Sequence, residues 1–171
     1  MLTDSHCHLA SHKFPAEEIQ SLLDRAREAG VDRLITLATN PGDIPRNLEL
    51  AESFPQVFAC VGIHPCDVHE TPGEYLPELR QFAKHPRVAA IGETGLDYYH
   101  PPPRGWTEEN YHQKQRDFLR QHFELAADLG LNVVIHTRDR NGNASFDDVL
   151  TLYEPFATKV QAVFHCFPGP A

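Results

Sequence analysis

Two histidines one residue apart, His6 and His8, stand near the start of the chain in the segment Asp4-Ser-His-Cys-His-Leu9. In an extended strand the period of two puts both imidazoles on one face and Cys7 on the other, so the pair can chelate one metal ion. Alone, that spacing is a weak signal. It gains weight because other ligand-type side chains stand at the ends of short apolar runs. These are His64 after residues 57–63, Glu93 after 88–92, His136 closing 132–136 and His165 closing 160–165. Histidine is the commonest metal ligand, and the chain holds 11. Arg138, two residues past His136, reaches the same mouth on this reading. A guanidinium fork suits a phosphate group; the alternative for Arg138 is an ion pair with Asp139 or another acid.

The elements that must position these groups follow from the hydrophobic pattern. Apolar runs predict strands over 2–9, 33–39, 57–63, 88–92, 132–136 and 160–165, and helical periodicity predicts helices over 16–29, 43–53, 74–84, 107–129 and 145–157. The strands are continuous apolar stretches rather than alternating ones, as in a parallel sheet covered on both faces or a barrel inside a helical jacket. Such folds build their active sites at the carboxyl ends of the strands, where the candidate ligands lie. Gly30 closes the first helix, and Ser145 with Asp148 has capping-box spacing at the start of the last. Tyr111, Phe118, Leu119, His122, Leu125, Ala126 and Leu129 form one stripe on the fourth helix, so His122 reads as a packed core side chain. Pro101-Pro-Pro-Arg-Gly105 predicts a rigid excursion between strand and helix.

Composition narrows the function classes. A chain of 171 residues suits one domain, and 41% hydrophobic with 23% charged residues excludes disordered, collagen-like and membrane-spanning classes. With 15 basic against 24 acidic residues the formal charge is −9, the wrong field for holding nucleic acid by a broad basic surface. Any phosphate must be gripped locally. The amino terminus lacks a basic and apolar leader, so the expected compartment is the cytoplasm. The four cysteines show no CxxC spacing and read as free thiols, none expected as a metal ligand. Asp4 and Asp97 read as orienting or turn residues, and His12, His69, His85, His100 and His112 as solvated surface groups.

The segments Asp4 to Leu9, Val61-Gly-Ile-His-Pro65, Ala90-Ile-Gly-Glu-Thr-Gly-Leu-Asp-Tyr-Tyr99, Val134-Ile-His-Thr-Arg-Asp139 and Val163-Phe-His-Cys-Phe-Pro-Gly169 run from end to end of the chain. In that order the set resembles the TatD-like metal-dependent deoxyribonucleases of the amidohydrolase-like barrel hydrolases. The resemblance implies an α/β fold, a TIM-type (β/α)8 barrel, of which residues 1–171 supply about the first six units as one incomplete domain. It implies a two-metal site, with His6 and His8 on one ion, His136 and His165 on the other, and Glu93 bridging both at the catalytic centre. His64 then lies at the rim, binding substrate phosphate or packing behind the ligands.

The implied activity is phosphodiester hydrolysis, trimming DNA from a 3′ end with a metal-activated water. The resemblance suggests Mg²⁺, while four imidazoles and a carboxylate also suit Zn²⁺, Mn²⁺ or Ni²⁺. DNA ends or another phosphate ester are the expected partners, with no membrane and no protein partner assigned. Two alternatives stay open: hydrolysis of a small ester, cyclic amide or phosphomonoester on the same barrel type, and an inactive metal-binding fragment. A complete eight-stranded barrel usually takes about 250 residues, so the chain is expected to be part of a longer enzyme. The family's aspartate in a Glu-Thr-Asp-type segment after the last strands is not in this sequence.

Overall fold

Strand and helix alternate along the whole of residues 2–167, the part described by the computed structural model. The strands are β1 (Leu2–Cys7), β2 (Val31–Leu37), β3 (Val57–Val61), β4 (Val88–Tyr98), β5 (Asn132–Asp139) and β6 (Ala162–Phe164). Between them run α1 (Ile19–Glu28), α2 (Asp43–Ser53), α3 (Leu76–Ala83), α4 (Glu108–Leu129) and α5 (Ala144–Tyr153). The strands form one sheet in the order β1-β2-β3-β4-β5-β6, every neighbouring pair parallel. Each crossover therefore lays the next strand beside the last, and the sheet curls into a half-barrel jacketed by helices.

Residues of β5 show how the alternation divides the two faces. Val133 and Ile135 join Ile91, Leu96, Phe118, Leu119 and Phe123 in the main core between sheet and helices. Val134 belongs instead to a small cluster with Leu37, Cys60 and Ala90 on the opposite face. His136 and Arg138 follow Val134 at the period of two, so they continue that second face toward the strand ends. Burying side chains such as Leu119 or Phe123, both 0% exposed, contributes about 1.5–3 kcal/mol each.

The predicted bounds hold in order and type, with three local corrections. β4 runs on to Tyr98 rather than stopping at residue 92, because Gly95, Leu96 and Asp97 pair with His136, Thr137 and Arg138 of β5. The expected Ser145–Asp148 cap does not form. Ser145 lies inside the first turn of α5, where Asp139 at the end of β5 accepts from its backbone N–H at 2.9 Å and its hydroxyl at 2.6 Å. Asp148 accepts instead from the Tyr98 hydroxyl at 2.7 Å. The last helix also ends earlier than expected, at Tyr153, followed by a single 3-10 turn over Glu154–Phe156.

Thr107 caps α4 through Asn110 N–H, and Gly130 ends it with φ +66°. His122 is buried on α4 as expected, its Nε2 accepting from Ile63 N–H and its Nδ1 facing Phe118 O at 2.6 Å. Residues 101–105 lie outside helix and strand. Among the described residues no helix is long and apolar enough to cross a membrane.

Candidate metal centre

Glu93 sits where β4 breaks register with β5, between the Ile91 and Thr94 pairings. Two glycines make that backbone path possible. Gly92 has φ +146°, and a Cβ there would stand 2.8 Å from Val134 O; Gly95 has φ +145°, and a Cβ would collide with the His136 carbonyl. Only glycine accepts both the dihedral and the close approach. The result is a carboxylate 3% exposed, aimed among imidazoles from four other strand ends.

The two carboxylate oxygens face different groups. Oε2 lies 3.3 Å from His6 Nε2 and 3.6 Å from His8 Nε2. Oε1 lies 3.2 Å from His136 Nδ1, 2.5 Å from His165 Nε2 and 3.7 Å from His64 Nε2. All five sequence-predicted ligands are thus together, with His64 beside them.

Outer hydrogen bonds orient the rings of His8, His136 and His64. His8 Nδ1 lies 3.0 Å from Leu37 O, which can only accept, so His8 donates from Nδ1 and keeps the Nε2 lone pair toward Glu93. The loop after β1 is held by Thr36, whose hydroxyl accepts from Leu9 N–H and donates to Asn47. His136 Nε2 lies 3.0 Å from Asp97 Oδ2, and that bond turns its Nδ1 toward Glu93. Asp97 is 0% exposed and is itself tied down by the N–H groups of Tyr99 and His100, while Gln115 bonds both its backbone N–H and its carbonyl. His64 differs: its Nδ1 accepts from Cys66 N–H, so the neutral ring carries its proton on Nε2 and presents a donor.

These surroundings set the charges. Burial, the largest influence on Glu93, favours the neutral acid, but the imidazoles of His136, His165 and His6 outweigh it and hold the carboxyl well below its usual range. Asp97 is likewise held low against burial, by His136 and the N–H and ring of His100. Burial lowers His136, yet its bonds to Asp97 and Glu93 win and bring it to about 9 without a metal ion. Burial and the neighbouring His136 push His64 down to about 4, so it is neutral at pH 7.

The residues fit divalent cations. His6 Nδ1 and both nitrogens of His165 are buried without a hydrogen-bond partner in the protein, the close His165–Glu93 approach being out of hydrogen-bond alignment. Two trios of donor atoms, His6/His8/Glu93 and His64/Glu93/His136, each lie within 4.8 Å of one another; the second holds His64 where the sequence reading put His165, which instead approaches Glu93 Oε1 by itself. Cys7 turns away as alternation predicts, toward Ile35 O at 3.3 Å.

Arg138 makes no ion pair with Asp139, which caps α5; its guanidinium lies 4.0 Å over the Tyr99 ring instead. Among the described residues no carboxylate pairs with it. Asp4 accepts from His6 N–H, a turn role as read. His100 is not a bare surface group, since its Nδ1 lies 3.0 Å from Asp97. His112 stacks on Tyr98 with centroids 3.9 Å apart, and His85 meets Glu52 at 2.8 Å. Tyr99, 40% exposed beside Arg138, escaped the sequence reading because one exposed tyrosine carries no periodic signal.

A family model described as TatD related DNase matches residues 3–171. The chain belongs to that family. It is 31% identical over all its length to a Bacillus subtilis protein named uncharacterized metal-dependent hydrolase YabD, covering 62% of that protein. It is 32% identical over 97% of its length to an Erwinia tasmaniensis protein named 3′-5′ ssDNA/RNA exonuclease TatD, covering 60% of it. The crystal structure of YjjV, a TatD homolog from Escherichia coli, matches with TM-score 0.79 and 27% identity over 99% of this chain and 61% of that one. The phosphotriesterase homology protein of E. coli, at 14% identity and TM-score 0.60 over 94% of this chain and 61% of that one, shares the fold alone. Against these curated TatD-family relatives the chain spans about three fifths of their length.

Proposed function

We propose that this TatD-family chain carries most of a two-cation hydrolase centre acting on phosphodiester bonds at nucleic-acid ends, of the 3′ exonuclease type. The observation that carries the reading is the division of labour at Glu93, one oxygen toward His6 and His8, the other toward His136 and His165. A carboxylate so placed can bridge two like charges. On this reading His6 and His8 hold one ion and His136 and His165 the other, with Mg²⁺ the expected working ion and Zn²⁺, Mn²⁺ or Ni²⁺ able to occupy the same donors. Bound there, the pair would supply an activated water and neutralise charge on the phosphate and leaving oxygen.

Two further groups of the chain suit substrate. His64 offers an Nε2–H donor at the rim, and Arg138, free of any described carboxylate, offers a guanidinium; both suit a substrate phosphate. That local grip replaces a basic surface, which a net charge of −9 does not provide. The four free thiols suit the reducing cytoplasm. One sheet, with its principal core shared by β3, β4, β5, α3 and α4, supports reading residues 1–171 as a single domain.

The test is hydrolysis of end-labelled single-stranded DNA by the purified protein with Mg²⁺ or Mn²⁺, with and without chelator, beside a Glu93→Ala variant. The expected result is stepwise loss of 3′ nucleotides, abolished by chelator and by the substitution. Full activity under both treatments would overturn the reading. Turnover of model esters or cyclic amides with DNA left intact would move the assignment to the small-molecule alternative.

A further inference from the structure

On the far side of His136 from Glu93 lies a second convergence of donors, joined to the proposed centre only through Asp97, which orients His136. Cys66 Sγ, an Asp97 carboxylate oxygen and a His100 ring nitrogen lie within 4.8 Å of one another. His100 Nδ1 stands 3.0 Å from Asp97 Oδ2 and 3.8 Å from Cys66 Sγ. Donors on one tetrahedral ion, with bonds of about 2.0 Å to nitrogen or oxygen and 2.3 Å to sulfur, are separated by about 3.3–3.6 Å. The observed separations bracket that range.

We propose that Cys66, Asp97 and His100 form an auxiliary site for a thiophilic divalent cation of the Zn²⁺ or Cd²⁺ kind, separate from the Glu93 centre. The donor set is one sulfur, one nitrogen and one oxygen, which favours such ions over Mg²⁺. Asp97 is anchored, its Oδ1 accepting from the N–H groups of Tyr99 and His100. Cys66 follows His64 and Pro65 in the single turn after β3 and is only part-buried, while the His100 side chain is 48% exposed. The ion thus has a path from solvent, and water can take a fourth position.

Binding replaces hydrogens by the ion and balances simply. The Cys66 thiol proton is released to solvent, the sulfur electron pair goes to the cation, and the His100 proton moves from Nδ1 to the exposed Nε2 so that the Nδ1 lone pair can ligate. Because Asp97 also accepts from His136, the ion would share a carboxylate with the residue that orients one ligand of the Glu93 centre.

The test loads the purified protein with Mn²⁺, titrates Cd²⁺ and follows the ultraviolet thiolate-to-cadmium charge-transfer band, a readout that involves no turnover. The expected result is one band equivalent per chain, lost in Cys66→Ser and kept in Cys166→Ser and Cys7→Ser. His100→Ala, at a side chain 48% exposed, is expected to weaken Cd²⁺ by roughly tenfold or more, the least that loss of even an outer-sphere partner costs. Absence of the band in the unsubstituted protein, its persistence in Cys66→Ser, or unchanged affinity in His100→Ala would each overturn the site. None of these outcomes bears on hydrolysis, so this proposal and the two-cation reading can fail separately.

Discussion

The middle of the sheet and its two edges build the same centre in different ways. Glu93 and His136 stand on β4 and β5, with strands on both sides, and each partner behind them is itself held: Asp97 behind His136, Gln115 behind the Asp97 backbone, and α4 behind both. His6 on β1 and His165 after β6 stand at the edges. Their Nδ1 atoms have no hydrogen-bond partner, their rings stack on each other at 4.0 Å, and the edge strands expose Leu2 and Val163 at 60% and 56%. The difference teaches that the protein supplies an outer hydrogen-bond chain to the middle ligand position but not to the edge ones. At the edges, His6 and His165 lack the outer hydrogen-bond partners that hold His136 in the middle.

The sharpest way to break this comparison is at the glycines. Gly95→Ala puts a methyl group into the His136 backbone and is expected to cost at least about 3 kcal/mol, read as a fall in the denaturant midpoint. Gly30→Ala, in the turn between α1 and β2, also has positive φ (+86°) but meets nothing within 4 Å, and should cost only about 1–2 kcal/mol. Equal costs would mean that the backbone around Glu93 is packed no tighter than an open turn.

Next in size is Asp97→Asn, which keeps the shape but weakens the hold on His136. It is expected to lower cation affinity at the Glu93 centre by about 10–100-fold in a calorimetric titration. An unchanged affinity would remove the claimed advantage of the middle strands.

The neutral locking of α4 gives a pH test. Burial holds His122 down to about 4, below the ordinary 6.5 of a histidine, so below 6.5 the unfolded chain takes a proton that the folded chain refuses. Stability from this group is therefore lost as pH falls through that window, by about 2 kcal/mol between pH 7 and pH 5. His122→Gln should flatten that part of the profile, and an unaltered slope would show that His122 is not the cause.

The smallest expected effect is Arg138→Lys, which keeps the charge but loses the planar fork lying over Tyr99. It should raise KM for DNA by about two- to fivefold with kcat nearly constant. A fall in kcat at constant KM would place Arg138 in the chemistry rather than in binding.

Much of this centre was legible because the candidate ligands mark strand ends. His6, His8, His64, Glu93, His136 and His165 each close or follow an apolar run, and a parallel sheet brings such ends to one rim. What stayed hidden depends on register. The residues Glu93 to Tyr98 read as a loop because they are polar and glycine-containing, yet pairing with β5 makes them strand and sets Asp97 behind His136. Ser145 looked like a cap by spacing, but the carboxylate that caps α5 comes from the end of the preceding strand. His100 looked isolated for the same reason: its neighbour Cys66 is 34 residues away, and only folding joins the two loops.

The central claim is that Glu93 serves two cations at once. Anomalous diffraction from crystals soaked in Mn²⁺ tests it most directly. The account predicts two peaks about 3.5–4 Å apart, one beside His6, His8 and Oε2 and the other beside His136, His165 and Oε1. A single peak, or peaks that leave Glu93 untouched, would contradict it.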